Sequence, residues 1–221
     1  MAITAAMVKE LREMTGAGLM DCKKALTETN GDMDAAVDVL KKSGAAKMEK
    51  KQSRIAAEGI ARVAVNGNVA VVAEVNSETD FVAKNETFQE FVQTVADTAL
   101  ASDLNGGANG EDIEALLATN GLSDLLVEKT ATIGEKLSVR RFAKVTGDAV
   151  ASYIHGGGRI GVVIAADGAS DDAAKEALTN IAMQVAAMNP QYISRNDISA
   201  EELAKIKVCK LFIRDIVSAD V

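Results

Sequence analysis

The chain has 221 residues, of which 48% are hydrophobic and 25% are charged, and its formal net charge is −8. These values are typical of a folded soluble protein and exclude a chain that is disordered throughout. No apolar run approaches the roughly 18 residues of a membrane span, and the acidic balance argues against indiscriminate nucleic-acid binding. The N-terminus has neither a long apolar core nor an Arg/Ser-rich bias, so we expect a cytoplasmic protein without a targeting segment.

Helical periodicity predicts three helices within the first 54 residues. Thr4 caps the first helix, which ends at Gly16. The second helix runs from Leu19 to Thr29, and Asp32 opens a third that ends before Ser43-Gly44. These helices form a small domain that a basic linker connects to the rest of the chain.

Two features of this domain are candidate contacts with other molecules. Leu19 and Met20 begin the second helix and are either core residues or an exposed apolar patch. Between Lys41 and Arg54 there are six basic residues and one acid. Such a segment is either a solvated helix face or linker, or a positively charged surface that attracts an acidic partner.

Two β-hairpins follow, each with a helix after it. The first hairpin has its turn at Asn66-Gly67, and a helix follows over Phe88 to Leu100. The second joins Val150–Ile154 to Ile160–Ala165 through a His-Gly-Gly-Gly turn, and its helix runs from Asp171 to Met188. This repetition predicts an α+β fold whose core has two related subdomains, each an antiparallel sheet with helices.

A further helix over Ile113–Glu128 and a strand over Leu137–Val145 lie between the two hairpins. We therefore divide the chain into an N-terminal domain with its linker, residues 1–54, and two core subdomains, residues 55–139 and 140–221.

The stretch Asn76–Phe88 places an aromatic residue between polar residues just after a predicted strand. Thr79 or Asp80 can cap a helix there, with Phe81 folded back as a local hydrophobic plug. Alternatively, Phe81 and Val82 are exposed and bind another molecule, since loops on rigid scaffolds often carry binding residues.

The sequence offers little for catalysis or metal binding. The single histidine, His155, lies in the His-Gly-Gly-Gly turn, where it is either a turn residue or a contact, and no nucleophile elbow or phosphate-binding loop is present. Cys22 and Cys209 are isolated and cannot form a usual structural zinc site. We therefore expect neither an enzyme nor a cofactor.

Four blocks of sequence occur in order: VKELREMTGAGLMDCKKAL (Val8–Leu26), NSETDFVAKNETF (Asn76–Phe88), TIGEKLSVRRF (Thr132–Phe142) and YIHGGGRIGVVI (Tyr153–Ile164). Together they closely resemble the bacterial elongation factor Ts family, over about residues 1 to 203. The resemblance implies a guanine-nucleotide exchange factor that binds the GTPase elongation factor Tu, with GDP or without nucleotide. It also implies an N-terminal domain like the ubiquitin-associated domain, followed by the two-subdomain core.

The resemblance also implies which residues touch the partner. The block that inserts into the GTPase domain and dislodges its magnesium and phosphate contacts comprises Thr79, Asp80, Phe81 and Val82. The N-terminal domain docks on a helix of that GTPase domain through positions that match Arg12, Leu19, Met20 and Lys23, with Lys51 nearby. Further contact positions match Ile133 and His155, the latter reaching towards the partner's third domain.

The resemblance extends to about residue 203, and Ile206–Val221 does not match the usual continuation of the family. We therefore expect a shortened C-terminal subdomain without the coiled-coil insertion of the long family members, and Ile206–Val221 is compatible with either a strand or a helix. A homodimer is also compatible with the resemblance. The alternative function is a non-catalytic module that binds a GTPase as a scaffold.

Overall fold

The computed structural model describes residues 3–168, 170–192 and 195–205. The chain divides into two compact units, Met1–Ala186 and Ala187–Val221. The described residues contain helices at the N-terminus and, after them, antiparallel sheets with further helices, so the predicted α+β fold is confirmed. The predicted strand or helix over Ile206–Val221 lies outside the described residues.

The elements follow one another along the chain. The helices are α1 (Ala5–Thr15), α2 (Leu19–Glu28), α3 (Met33–Lys51), α4 (Asp80–Ala83), α5 (Glu86–Ala101), α6 (Ile113–Leu117), α7 (Leu122–Ile133) and α8 (Asp172–Met188). The strands are β1 (Glu58–Asn66), β2 (Val69–Ser77), β3 (Ser138–Thr146), β4 (Ala149–His155) and β5 (Ile160–Ala166). The second unit contains a short 3₁₀ helix, Arg195–Asp197, and helical residues 200–205.

Local capping explains where the N-terminal helices begin and end. The Thr4 side chain accepts a hydrogen bond from the Met7 N–H, and Gly16 ends α1 in the left-handed region with φ of 64°. Asp32 caps α3 by accepting from the Ala35 N–H. The three helices enclose a small core formed by Val8, Leu11, Cys22, Ala25, Leu26 and Ala36. The predicted starts of α1 and α3 are therefore confirmed.

The end of α3 differs from the prediction, which placed it before Ser43-Gly44. The helix continues to Lys51, so most of the predicted basic linker is helical. Gly44 is buried, and a Cβ atom there would lie 3.2 Å from a Val127 methyl and 3.6 Å from Ala131 on α7. Glycine costs a helix about 1 kcal/mol relative to alanine. At this position it permits α3 and α7 to pack closely, which offsets that cost.

The main hydrophobic core lies between α5 and the first sheet, whose strand order is β1-β2-β3. The predicted first hairpin is confirmed, since β1 and β2 pair antiparallel up to Asn66 opposite Val69. Phe88 and Phe91 of α5 are buried in the same cluster as Phe142 of β3. This packing sets the end of β2 and the start of α5, and residues 78–85 join them.

The predicted second hairpin, β4 and β5, is also confirmed. It covers the face of the first sheet opposite the main core, because it contacts Ala61 and Val72, which alternate with the core-facing Ile60 and Val71. A Cβ atom on Gly161 would lie 2.9 Å from both Ala61 of β1 and Val72 of β2, so the hairpin approaches the sheet closely at this glycine. The Ala61 N–H donates to the carbonyl of Gly158 at 2.7 Å. The turn between β4 and β5 is thereby held against β1.

The single helix predicted over Ile113–Glu128 is wrong, because this region folds as α6 and α7. Asn120 and Gly121 between them have φ of 50° and 71°. This left-handed conformation interrupts a right-handed helix. The change of direction allows Leu116 and Leu122 both to be buried in the main core.

The division into residues 1–54, 55–139 and 140–221 stays a prediction. The described residues hold three hydrophobic clusters, which centre on the N-terminal helices, the first sheet and the second hairpin. Strand β3 crosses position 139 and pairs with β2 in the first sheet.

We predict that Gly44→Leu lowers the melting temperature, because the new side chain must displace α7. Overpacking of this kind typically costs about 1–3 kcal/mol. Thermal unfolding measures the effect, and Ser43→Leu, at an exposed position on the same helix, is the matched control. Equal melting temperatures for the two variants would contradict close packing at Gly44.

Candidate partner-binding site

The polar stretch after β2 folds into α4, a helix of four residues. Thr79 caps this helix, since its side chain accepts a hydrogen bond from the Val82 N–H at 3.4 Å. Ala83 is buried, and Val82 packs against the main core. The predicted cap is therefore confirmed, and these two apolar residues hold the inner side of α4 on the core.

Phe81 lies on the outer side of the same helix, where its side chain is 80% exposed. Successive helical residues point in directions about 100° apart, so the burial of Val82 and Ala83 leaves Phe81 outside. The interpretation of Phe81 as a local hydrophobic plug is therefore wrong. The ring keeps apolar area that a partner can remove from water.

Asp80 places a carboxylate beside this ring. Its Oδ2 atom lies 2.7 Å from Nζ of Lys84. The hydrogen bond from Lys84 lowers the pKa of the Asp80 carboxyl, and the charges of Lys84 and Arg159 act in the same direction. The exposed surface of α4 therefore combines an aromatic side chain with an ionised carboxylate at neutral pH.

The Glu135 carboxylate binds the residues that precede α4. Its Oε2 accepts hydrogen bonds from the N–H groups of Glu78 at 3.1 Å and Thr79 at 3.0 Å, and its Oε1 accepts from the Thr79 hydroxyl at 2.7 Å. Glu135 follows Gly134, which ends α7 with φ of 85°. The end of α7 and the start of α4 are thus joined by one ionisable side chain.

A second carboxylate, that of Glu78, extends this network towards the end of α3. It accepts hydrogen bonds from the Lys136 N–H and from Nη1 of Arg54, the latter at 3.2 Å. The Lys136 N–H is the main cause that lowers the pKa of Glu78, and Arg54 adds to it. Nζ of Lys136 in turn donates to the carbonyls of Gln52 at 2.6 Å and Arg54 at 2.9 Å.

The other end of α4 is linked to the turn between β4 and β5. Gln89 of α5 donates from Nε2 to the Ala83 carbonyl at 3.3 Å. Its Oε1 accepts from Nη2 of Arg62 at 2.9 Å, and Nη1 of Arg62 donates to the Gly157 carbonyl at 3.5 Å. Two side chains therefore connect α4 to the His-Gly-Gly-Gly turn.

His155 is exposed at the end of β4, immediately before this turn. Its Nδ1 lies 3.0 Å from the hydroxyl of Tyr153. The glycines that follow have positive φ, from 59° at Gly156 to 107° at Gly158, which glycine adopts without strain. The histidine therefore lies on the surface beside a tight turn, whether or not it contacts a partner.

The predicted contacts of the N-terminal domain lie on α1 and α2. Leu19 and Met20 are 53% and 72% exposed, so of the two interpretations left open by the sequence, the surface position is correct. Arg12 and Lys23 are exposed as well. These residues form a second candidate surface with apolar and basic side chains.

The remaining two predicted contacts lie at helix ends near α4. Lys51 is the last residue of α3 and is half-buried, and Ile133 is the last residue of α7 and packs partly on the main core. Sequence reasoning did not single out Glu135, Arg62 or Gln89. The partners of Glu135 lie 56 and 57 positions away, and Arg62 and Gln89 are 27 positions apart. Glu135 lies within the TIGE block, of which only Ile133 was singled out.

Within the described ranges, no group of three His, Cys, Asp or Glu side chains is placed to hold a metal ion. None of the helices in that part of the chain is both long and apolar enough to cross a bilayer.

One family model matches this chain, the model described as Elongation factor TS, over residues 78–218. The match covers more than half of the sequence. It extends to residue 218, so the expectation that the family resemblance ends near residue 203 is wrong. It begins at Glu78, so it contains α4, the Glu135 network and the turn after His155, whereas the surface on α1 and α2 lies outside it.

We predict that Glu78 makes stability depend on pH below neutrality. Because its folded-state pKa is lowered, its contribution is present above the ordinary glutamate pKa of about 4.3 and is lost as the pH falls through the folded value. Melting temperatures from pH 7 to pH 3 should show Glu78→Gln below wild type at pH 7, with the difference closing in acid. Glu114→Gln, an exposed position on α6, is the control, and a difference that stays constant with pH would contradict this role.

Proposed function

This chain belongs to the elongation factor Ts family, which acts in translation elongation, and we propose that it is a cytoplasmic guanine-nucleotide exchange factor for elongation factor Tu. It binds the GDP-bound partner, disrupts its magnesium and phosphate contacts, and promotes release of GDP. The nucleotide-free complex then persists until GTP binds.

The exposure of Phe81 is the observation that carries this proposal. A large aromatic side chain stands in water on a helix whose inner side and both ends are held by other residues. A side chain on a fixed support loses little conformational freedom when a partner covers it. Phe81 therefore inserts into the GTPase, and Thr79, Asp80 and Val82 hold or flank it.

Exchange of this kind requires no covalent step, so we do not regard the protein as an enzyme in the usual sense. If binding of the factor weakens the affinity of the GTPase for nucleotide, nucleotide weakens the affinity for the factor by the same ratio. Either ligand can therefore displace the other. The factor acts as an exchange catalyst because it leaves the complex when GTP binds.

The other predicted residues give the partner further contacts. Leu19 and Met20 supply exposed apolar area on α2, and Arg12, Lys23 and Lys51 supply positive charge for an acidic GTPase. Ile133 and His155 contact the partner from positions that the Glu135 and Arg62–Gln89 links connect to α4.

Release of fluorescent GDP from purified elongation factor Tu, measured with excess unlabelled GTP in solution, tests this function. An exchange factor accelerates release at amounts well below those of the GTPase, because each molecule acts repeatedly. A scaffold module would bind the GTPase and leave the rate of GDP release unchanged, which would overturn the proposal.

We predict that Phe81→Ala strongly lowers GDP release and leaves the melting temperature nearly unchanged. A central aromatic anchor typically contributes about 2 kcal/mol or more, which corresponds to roughly a 30-fold loss. Asp80→Ala should act in the same direction. Stopped-flow measurement of GDP release at several factor concentrations determines the loss.

Ile181→Ala is the matched control for this substitution, because Ile181 is a large apolar residue on α8 that is 50% exposed. It should retain wild-type exchange. A Phe81→Ala protein that melts earlier but exchanges normally per folded molecule would show that the ring serves stability and not exchange.

We predict that neutralising Lys23 and Lys51 together slows association with the partner at low ionic strength. Electrostatic steering acts mainly on the association rate and fades as salt screens the charges. Replacement of Lys175 and Lys205, both exposed, by glutamine gives a control with the same net charge. Equal association rates for both double variants at low salt would contradict steering by Lys23 and Lys51.

A further inference from the structure

The position of Phe81 depends on the backbone of α4, because the ring itself makes little contact with the protein. A helix of four residues is too short to be stable alone. Its conformation must therefore come from groups outside it, and these groups determine where the ring stands.

Several side chains bind α4 or the residues next to it, and their interactions differ in strength. The Ser77 hydroxyl donates one neutral hydrogen bond to the Thr79 carbonyl at 3.1 Å. Lys84 pairs with Asp80 on the exposed surface, where ion pairs contribute little. Gln89 makes one neutral hydrogen bond to the end of the helix. Glu135 accepts three hydrogen bonds at its start, and hydrogen bonds to an ionised acceptor are about twice as strong as neutral ones.

The bonds to Glu135 also act on the helix cap. The hydroxyl of Thr79 donates to Glu135 at 2.7 Å and accepts from the Val82 N–H at 3.4 Å. Donation to a carboxylate holds the hydroxyl in the orientation in which its lone pair faces that N–H. Glu135 therefore supports the first turn of α4 without touching Phe81.

We propose that Glu135 is a positioning residue, which holds α4 so that Phe81 meets the partner in the correct orientation. The proposal rests on the proposed function of Phe81. Ile133 lies two residues before Glu135 at the end of α7. The Glu135 side chain therefore also fixes the distance between Phe81 and Ile133, the two proposed contact residues on either side of it.

The first test is residue-resolved amide hydrogen exchange of the full chain with Glu135→Ala. The informative amides are those of Val82, Ala83 and Lys84, which bond within residues 79–84 and not to Glu135. Loss of a charge-assisted network should raise their exchange rates at least about tenfold. Glu135→Gln, which keeps the shape of the side chain but not its charge, should give a smaller increase. If the alanine variant does not fold, the glutamine variant by itself provides the test.

The matched control is Glu111→Ala. Glu111 also accepts a backbone hydrogen bond, from the Asn109 N–H at 2.9 Å, but lies in the loop after α5. The Glu111→Ala substitution should leave the amide hydrogen exchange rates of residues 82–84 unchanged. Unchanged exchange at these residues in the Glu135 variants as well would overturn the proposal.

The second test is a double-mutant cycle on GDP release. If Glu135 acts through Phe81, its substitution lowers release in the wild-type background and causes no further loss in Phe81→Ala. The same fold-loss in both backgrounds would mean that Glu135 supports the whole structure, which would overturn the proposal. If Phe81→Ala alone had no effect, the proposed function would fail, and the hydrogen-exchange test would still decide whether Glu135 holds α4.

Discussion

The packing of α5 against the first sheet is the constraint on which the candidate site depends. Phe88 and Phe91 are buried against the sheet, and a close-packed core of this kind does not allow its elements to shift independently. The end of β2 and the start of α5 therefore have fixed positions, and residues 78–85 must join them. This short connection leaves room for one helical turn, whose stability comes from the contacts at its inner side and its two ends.

The exposure of Phe81 follows from this arrangement. Val82 and Ala83 occupy the side of α4 that faces the core, and the ring is left in water, where it contributes little to folding. The same apolar area becomes favourable when a partner covers it. In the proposed exchange reaction, the supporting bonds exist before binding, so the protein would not have to order this segment during the encounter, and more of the interaction energy would be available to perturb the partner.

The N-terminal helices are joined to this site by packed elements. Helix α3 extends through most of the predicted linker, to Lys51, and packs against α7 at Gly44. Helix α7 ends at Ile133, and two residues later Glu135 binds the start of α4. A continuous series of contacts therefore runs from the N-terminal helices to Phe81, and a partner that docks on both surfaces meets them in a fixed arrangement.

Much of the fold was predictable because caps and turns depend on neighbours in the sequence. The hairpin at Asn66-Gly67 and the helix cap at Thr79 are examples, and the four sequence blocks also indicated the family. Other features depend on residues far away along the chain. Gly44 continues a helix because α7 packs against it, Phe81 is exposed because its neighbours face the core, and Glu135 reaches Thr79 across 56 positions. Neighbouring residues therefore specify most of the local elements and indicate the candidate residues. The folded core specifies which side chains face water and which side chains hold them there, since burial and long-range hydrogen bonds exist only once the core has formed.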